Sequence, residues 1–220
     1  MTTKLQKRIL TSIVLIFLLI AMYLFSFVMI ISLIIIAIIV WIEFLGLLSK
    51  IIKNKDSTDK FLEFFYKVVS LLYLFMLVYL IFAIESYYID LKIYLFYSIL
   101  VAILSDIGGF VFGKTFKGKK LTKISPNKTI SGSFGSFIFS LFLILIFYND
   151  ITKFNLSILI FITISISASS QLGDLLISYL KRKAKVKDTS DMLPGHGGFL
   201  DRVDGIIFAI PVGILLFNFL

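Results

Sequence analysis

The sequence predicts an all-α, polytopic integral membrane protein: a helical bundle of about seven transmembrane helices with a cytoplasmic N-terminus. Three observations predict it. Hydrophobic residues make up 59% of the 220 and charged residues only 16%, with a mean hydropathy of +1.03, which is too apolar for an ordinary water-soluble domain. The apolar residues gather in separate runs close to the ~20 residues that a helix needs to cross a hydrocarbon core. The Lys and Arg residues fall between alternate runs, as the cytoplasmic bias of basic loops requires.

Spans are expected at residues 9–26, 28–48, 64–84, 91–113, 132–148, 156–179 and 205–220. The first follows Lys4, Lys7 and Arg8 in the manner of a signal peptide, but its apolar run is long, no small-residue cleavage pattern follows, and a second run begins at once. It reads as a retained anchor. The last reaches only ~24 Å at ~1.5 Å per residue, short for a typical bilayer. With the N-terminus inside, the tail and the loops at 49–63, 114–131 and 180–204 are cytoplasmic, and of the 22 Lys and Arg only Lys92 and Lys153 lie outside. Ser26 and Phe27, residues 85–90 and residues 149–155 then become short exterior turns. No internal repeat or low-complexity linker interrupts the chain, so residues 1–220 read as one membrane domain, with anchoring helices over 1–90 and a catalytic half over 91–220.

Composition narrows the chemistry. The chain has no Cys and one His, which excludes disulfides and thiolate metal sites and leaves oxygen ligands for a hard cation such as Mg2+. A net charge of +9 spread over short loops between apolar spans suits phosphorylated substrates or anionic lipid headgroups, and not nucleic acid.

Three spans contain an acid: Glu43, Asp106 and Asp174. Each lies six or seven residues from the inner end of its span, roughly 9–10 Å below the cytoplasmic face. An ionised side chain near the bilayer centre costs about 2.5–3.5 kcal/mol, so acids at one depth are expected to face one polar cavity. For Glu43, neutralisation by Lys50 or Lys53 is an equal alternative. In the sixth span Thr163, Ser167, Ser170, Asp174, Ser178 and Lys181 recur at helical spacing along one face, which is expected to line a cavity open to the cytoplasm. In the fourth, Ala102, Ser105, Asp106, Gly109 and Gly113 form a small-residue face suited to close helix approach.

Two inner loops carry the remaining chemistry. Residues 114–136 hold six Lys in their first fifteen positions, and Ser125, Pro126, Asn127, Lys128 and Thr129 precede a helix start. Backbone N–H groups at such a start can hold phosphate, with Lys128 as the cation assigned to substrate, although P-loop spacing is absent. Residues 178–204 form a basic, glycine-punctuated run in which Lys181, Arg182, Lys183, Lys185 and Lys187 are followed by Pro194, Gly195, His196, Gly197 and Gly198. The glycines predict a tight turn able to approach a phosphate. Asp201, Arg202 and Asp204 then open the last helix, with Asp201 or Asp204 as a candidate N-cap.

This second run resembles the signature of the phosphatidate cytidylyltransferase, or CDP-diacylglycerol synthase, family. Ser178, Leu180, Lys181, Arg182, Lys187, Asp188, Ser190, Leu193, Pro194, His196, Gly197, Gly198, Asp201, Arg202, Val203 and Asp204 all agree with it. The likeness extends more weakly to Asp106, to residues 125–129 and to Gly173 and Asp174, while Ser131 stands where family members often carry an acid. The resemblance implies attack of the phosphate of phosphatidic acid on the α-phosphorus of CTP, giving CDP-diacylglycerol and pyrophosphate. The attacking phosphate is already ionised, so no strong general base is needed. On this hypothesis Mg2+ is the cofactor, with Asp174 and Asp201 as its ligands, and Asp174, Asp201 and Arg202 are catalytic. Lys128, Lys181, Arg182 and Arg202 bind phosphates, and the His196 turn with Gly197 and Gly198 packs on the nucleotide. Asp188 and Asp204 orient cations, while Ser178, Lys187 and Asp106 complete the substrate site. CTP, phosphatidic acid and membrane lipids are the expected partners, and a homodimer is compatible. The expected location is a bacterial inner membrane, with the active site facing the cytoplasm. A CTP-dependent lipid kinase and an organic-anion transporter are the competing readings.

Overall fold

The computed structural model describes residues 2–52, 56–122, 125, 128–151, 153–195 and 197–220. Seven α-helices occur among them: α1 (Thr2–Leu24), α2 (Ser26–Ile51), α3 (Ser57–Tyr87), α4 (Lys92–Phe116), α5 (Ile130–Phe147), α6 (Leu156–Lys183) and α7 (Leu200–Phe219), with a single 3-10 turn at Ile89–Leu91 before α4. Helices α2 to α6 are long and apolar enough to cross a membrane, and α1 adds a shorter apolar stretch, Ile9–Leu24. The chain is a multi-pass α-helical membrane protein.

Helix ends run past the expected spans because a helix does not stop where lipid does. Helix α3 starts seven residues before position 64, and α7 begins at Leu200. With 20 residues, α7 is ~30 Å long at ~1.5 Å per residue; its extra length is the polar entry containing Asp201 and Arg202. The turn expected at Ser26 and Phe27 falls at Phe25, whose extended backbone separates α1 from α2.

The chain packs as two compact units, Met1–Ile89 with Leu180–Val203, and Asp90–Tyr179 with Asp204–Leu220. Their boundaries fall within α6 and α7. In the first unit, α2 buries Met29, Leu33, Val40 and Leu47, and α3 buries Leu74, Leu77, Ile81 and Ile84, two stripes at helical spacing. Phe61, Phe75 and Tyr79 on α3 remain largely exposed, as expected of a face toward lipid. Helix α6 ends in a Schellman motif: Lys185 N–H donates to Arg182 O and Val186 N–H to Lys181 O. Lys185 takes the left-handed position, with φ 57, where glycine is usual. This ending turns the chain sharply after the basic run.

In the second unit α4 is the central helix, with 50% of its apolar window buried against 22% in α2 and α3. Lipid gives no hydrophobic drive between helices, so α4 and α5 associate through small residues and hydroxyls. A Cβ on Gly132 would stand 2.8 Å from Gly109 O, and one on Gly135 would stand 2.7 Å from Gly108 O. Ser136 Oγ donates to Ser105 O at 2.7 Å. The small-residue face of α4 therefore meets α5. Toward the other end of this unit Tyr94 stacks on Phe217 at 4.4 Å, and Tyr97 meets Phe147 edge-on at 5.5 Å, contacts worth about 0.5–1.5 kcal/mol each beyond their burial.

The polar stripe of α6 divides, which corrects the expectation of a cavity along its whole length. Thr163, Ser167 and Ser170 are fully buried. Thr163 Oγ1 pairs with Tyr97 Oη at 2.6 Å and Ser167 Oγ with Ser105 Oγ at 2.9 Å. Hydroxyls in a lipid-embedded core gain more from a neighbouring helix than from an open channel, so the stripe packs where it is deep in the unit. It opens only at its Asp174 end.

Candidate active site

In the second unit Asp106, Lys128, Asp174 and Ser178 line one cavity of about 310 Å³, together with Ser105, Ser125, Thr129, Ser133, Ser136 and Gln171. Local folding puts Lys128 there. Leu121 N–H donates to Lys128 O at 2.8 Å and Ile130 N–H to Lys119 O at 3.0 Å, so residues 119–121 pair with 128–130 just before α5. Thr129 caps α5 by accepting Gly132 N–H at 3.0 Å. The Lys128 ammonium reaches Asp174 as an ion pair, and Ser178 Oγ donates to Asp174 Oδ1 at 3.3 Å. The Asp174 side chain keeps 25% of its surface exposed. Oxygen donors surround it, as Ser133 Oγ donates to Gln171 Oε1 at 2.5 Å.

In the first unit, carboxylates tie together the end of α6, the described residues of the connecting loop and the start of α7. Asp201 Oδ1 accepts from Lys181 Nζ at 2.6 Å. Its Oδ2 accepts from Thr189 N–H at 2.8 Å, Thr189 Oγ1 at 3.0 Å and Gly198 N–H at 3.0 Å. Burial raises the Asp201 carboxyl, but the Lys181 ammonium and the Thr189 and Gly198 N–H groups outweigh it, so it lies below its usual value. Leu193 N–H donates to Gly197 O at 2.8 Å, closing the glycine turn. Gly197 has φ 83, and a Cβ at Gly198 would collide with Thr189 Oγ1; both positions need glycine.

Glu43 on α2 is a second carboxylate of this unit. Only 6% exposed, it accepts Phe199 N–H at 2.9 Å, Leu200 N–H at 2.7 Å, Thr189 Oγ1 at 2.9 Å and Ser190 Oγ at 2.5 Å. It therefore satisfies N–H groups that the start of α7 would leave without helical partners. Two expectations are corrected. The groups on Glu43 are N–H and O–H donors, while Lys50 is exposed and Lys53 lies outside the described residues. Glu43 also does not line the cavity that contains Asp106 and Asp174. Likewise α7 begins at Leu200, so Asp201 and Asp204 sit within its first turns and neither is its N-cap.

Lys181, Asp201, Gly197 and Gly198 thus come together in the first unit, where Arg182, Lys187, Asp188 and Arg202 are exposed. In the second, Asp204 is buried at 4% exposure and does not line the cavity. His196, Pro126 and Asn127 lie outside the described residues. Sequence reasoning missed Thr189, Ser190, Ser133 and Gln171 as members of the two clusters. The weak signal for the first two was a pair of adjacent hydroxyls just upstream of the glycine turn.

Among the described residues no three His, Asp or Glu side chains gather as a metal cluster. Mg2+ does not require one, since it is commonly held by one or two carboxylates, with water and substrate phosphates completing its shell. The carboxylate, hydroxyl and amide oxygens of Asp106, Asp174, Ser178 and Gln171 at one cavity fit such an ion. Asp201 is more fully engaged, with Lys181 on Oδ1 and Thr189 and Gly198 on Oδ2.

Fold and sites define a class: a multi-pass α-helical membrane protein that gathers cations and carboxylates in each of its two units. The chain belongs to the cytidylyltransferase family, whose model matches residues 1–220. Curated relatives named phosphatidate cytidylyltransferase include those of Staphylococcus haemolyticus, 43% identical over 122 residues, Staphylococcus epidermidis, 41% identical, and Staphylococcus aureus, 43% identical. Each match covers 54% of this chain and 46% of the relative, so it spans about half the length of the curated relatives.

Proposed function

We propose that the protein is a phosphatidate cytidylyltransferase, joining CMP from CTP to phosphatidic acid with release of pyrophosphate. The observation that carries this reading is the cavity where Lys128 pairs with Asp174 and Asp106 shares the lining, in a chain of this family. A phosphate-binding ammonium beside carboxylates suits two anionic reactants that need a cation between them. Bound Mg2+ would neutralise phosphate charge and polarise the α-phosphorus. Asp174, with Asp106 beside the same cavity, would hold it, and Asp201 would be its second protein ligand through Oδ1, the oxygen that Lys181 approaches.

The protein's own groups do the rest. Lys128 binds a CTP phosphate, while Lys181, Arg182 and Arg202 supply positive charge for phosphates from the loop of the first unit. Such preset charges stabilise the transition state without reorganising when it forms. Lys187 steers anions from its exposed position, and Gly197 and Gly198 let backbone approach the nucleotide. Asp188 and Asp204 orient neighbouring cations. The phosphatidate oxygen attacks in line as pyrophosphate leaves, and no protein base has to take a proton. The inner membrane of a bacterium, with this chemistry on the cytoplasmic side, is the location that the loop charges favour.

Purified protein in lipid nanodiscs, given phosphatidic acid, α-labelled CTP and Mg2+, tests the reading. The expected products are labelled CDP-lipid and equimolar pyrophosphate. Labelled CDP with a newly phosphorylated lipid would instead identify a kinase, and anion uptake by vesicles without nucleotide turnover would identify a transporter.

A further inference from the structure

Glu43 stands outside the loop signature, 146 to 157 positions before its partners. We infer that Glu43 is a positioning residue for the loop, its buried carboxylate serving as the fixed acceptor on which Thr189, Ser190 and the first turn of α7 assemble. This rests on the reading of the loop as part of the active site.

Each Glu43 oxygen takes one backbone N–H and one hydroxyl. Oε1 accepts from Phe199 N and Ser190 Oγ, and Oε2 from Leu200 N and Thr189 Oγ1. Three of these donors belong to Glu43 alone and the fourth, the Thr189 hydroxyl, is shared with Asp201, so the acceptor directions of the carboxylate are all faced by donors. An amide could not replace it, because its NH2 would face donors.

Thr189 joins this cluster to the other carboxylate. Its N–H lies on Asp201 Oδ2, and its single hydroxyl lies 2.9 Å from Glu43 Oε2 and 3.0 Å from Asp201 Oδ2. One hydroxyl carries one proton, so at any instant it can donate to only one of them. A shift of Glu43 therefore moves Thr189 and, with it, the donors that hold Asp201 opposite Lys181. Gly198 completes the linkage: it donates to Asp201 Oδ2, and a Cβ there would stand 2.7 Å from Glu43 Oε2. The Glu43 carboxylate thus acts on the chemistry through the loop, without needing to touch substrate.

Amide hydrogen exchange and steady-state kinetics of Glu43→Gln in nanodiscs test this role. Exchange at residues 189–200 should rise about tenfold or more while the α4 and α5 amides hold their protection. Turnover per folded molecule should fall about 100-fold in kcat/KM, since a displacement near 1 Å costs about that much, and KM for CTP should rise about threefold or more. Glu43→Asp, which keeps all four acceptor directions, should recover part of both. Thr189→Val should loosen the loop where Thr189→Ser does not, which covers the case in which Glu43→Gln fails to fold. Loop exchange within twofold of wild type in both Glu43→Gln and Thr189→Val would overturn the inference, as would a fall in folded yield alone with KM unchanged. If the wild-type protein turned over no CTP, the exchange results would still decide the role of Glu43, and only the substrate assignment would fall.

Discussion

The two units treat their carboxylates in opposite ways. In the first, Glu43 is held by N–H and O–H donors and Asp201 by Lys181, Thr189 and Gly198, and the Asp201 side chain is only 5% exposed. In the second, Asp174 keeps a quarter of its side-chain surface open beside a cavity of about 310 Å³. A carboxylate surrounded by donors holds backbone in place, whereas one that faces an open cavity can exchange its partner for a ligand. Buried acids in one protein therefore divide into those that build a site and those that receive something in it.

Paired substitutions can break that comparison. Asp174→Asn should lower CDP-lipid formation by about 10³-fold, the scale of losing a preset charge at the transition state, and leave the unfolding midpoint nearly unchanged. Asp201→Asn should abolish Mg-dependent turnover and also destabilise the loop, because Lys181, 13% exposed, would keep a charge without its partner. Breaking such a pair costs up to about 3–5 kcal/mol when fully buried. Equal stability losses in the two variants, read by thermal unfolding in detergent, would erase the distinction.

Within the second unit, Lys128→Ala should raise KM for CTP about 10- to 150-fold, the loss of one charge-assisted contact of about 1.5–3 kcal/mol, with a smaller change in kcat. A loss confined to kcat would move Lys128 from substrate binding to the chemical step. The smallest effect is set by pH. The folded Asp201 carboxyl lies below its unfolded value, so its contribution to stability is complete above about pH 4, the ordinary carboxylate range. That contribution disappears as pH falls through the folded value. Proteolysis within 189–200 should therefore begin only below about pH 4, and earlier cleavage would show that another group governs the loop.

Much of this architecture was legible in one dimension because lipid imposes a simple rule on helices: about 20 apolar residues, ended by charge. The family was legible too, since the cations, acids and glycines of residues 178–204 stand at fixed spacings that the sequence displays directly. Other features were not. The face with Thr163, Ser167 and Ser170 reads the same whether it lines water or packs on α4, and only the partners Tyr97 and Ser105 separate those outcomes. Glu43 stood out as an acid in an apolar run, but its neighbours in sequence suggested lysine. Its donors come from positions that periodicity cannot connect to α2.

By itself, the sequence determined the class of molecule, the approximate helices, the lack of thiol chemistry and the loop rich in phosphate-binding residue types. These depend on composition and local spacing, which the chain displays directly. Tertiary structure decided which acids are saturated and which face a cavity, and which hydroxyls pack between helices. A carboxylate behaves according to the donors within about 3 Å of it, and donors from distant positions meet it only when the chain folds.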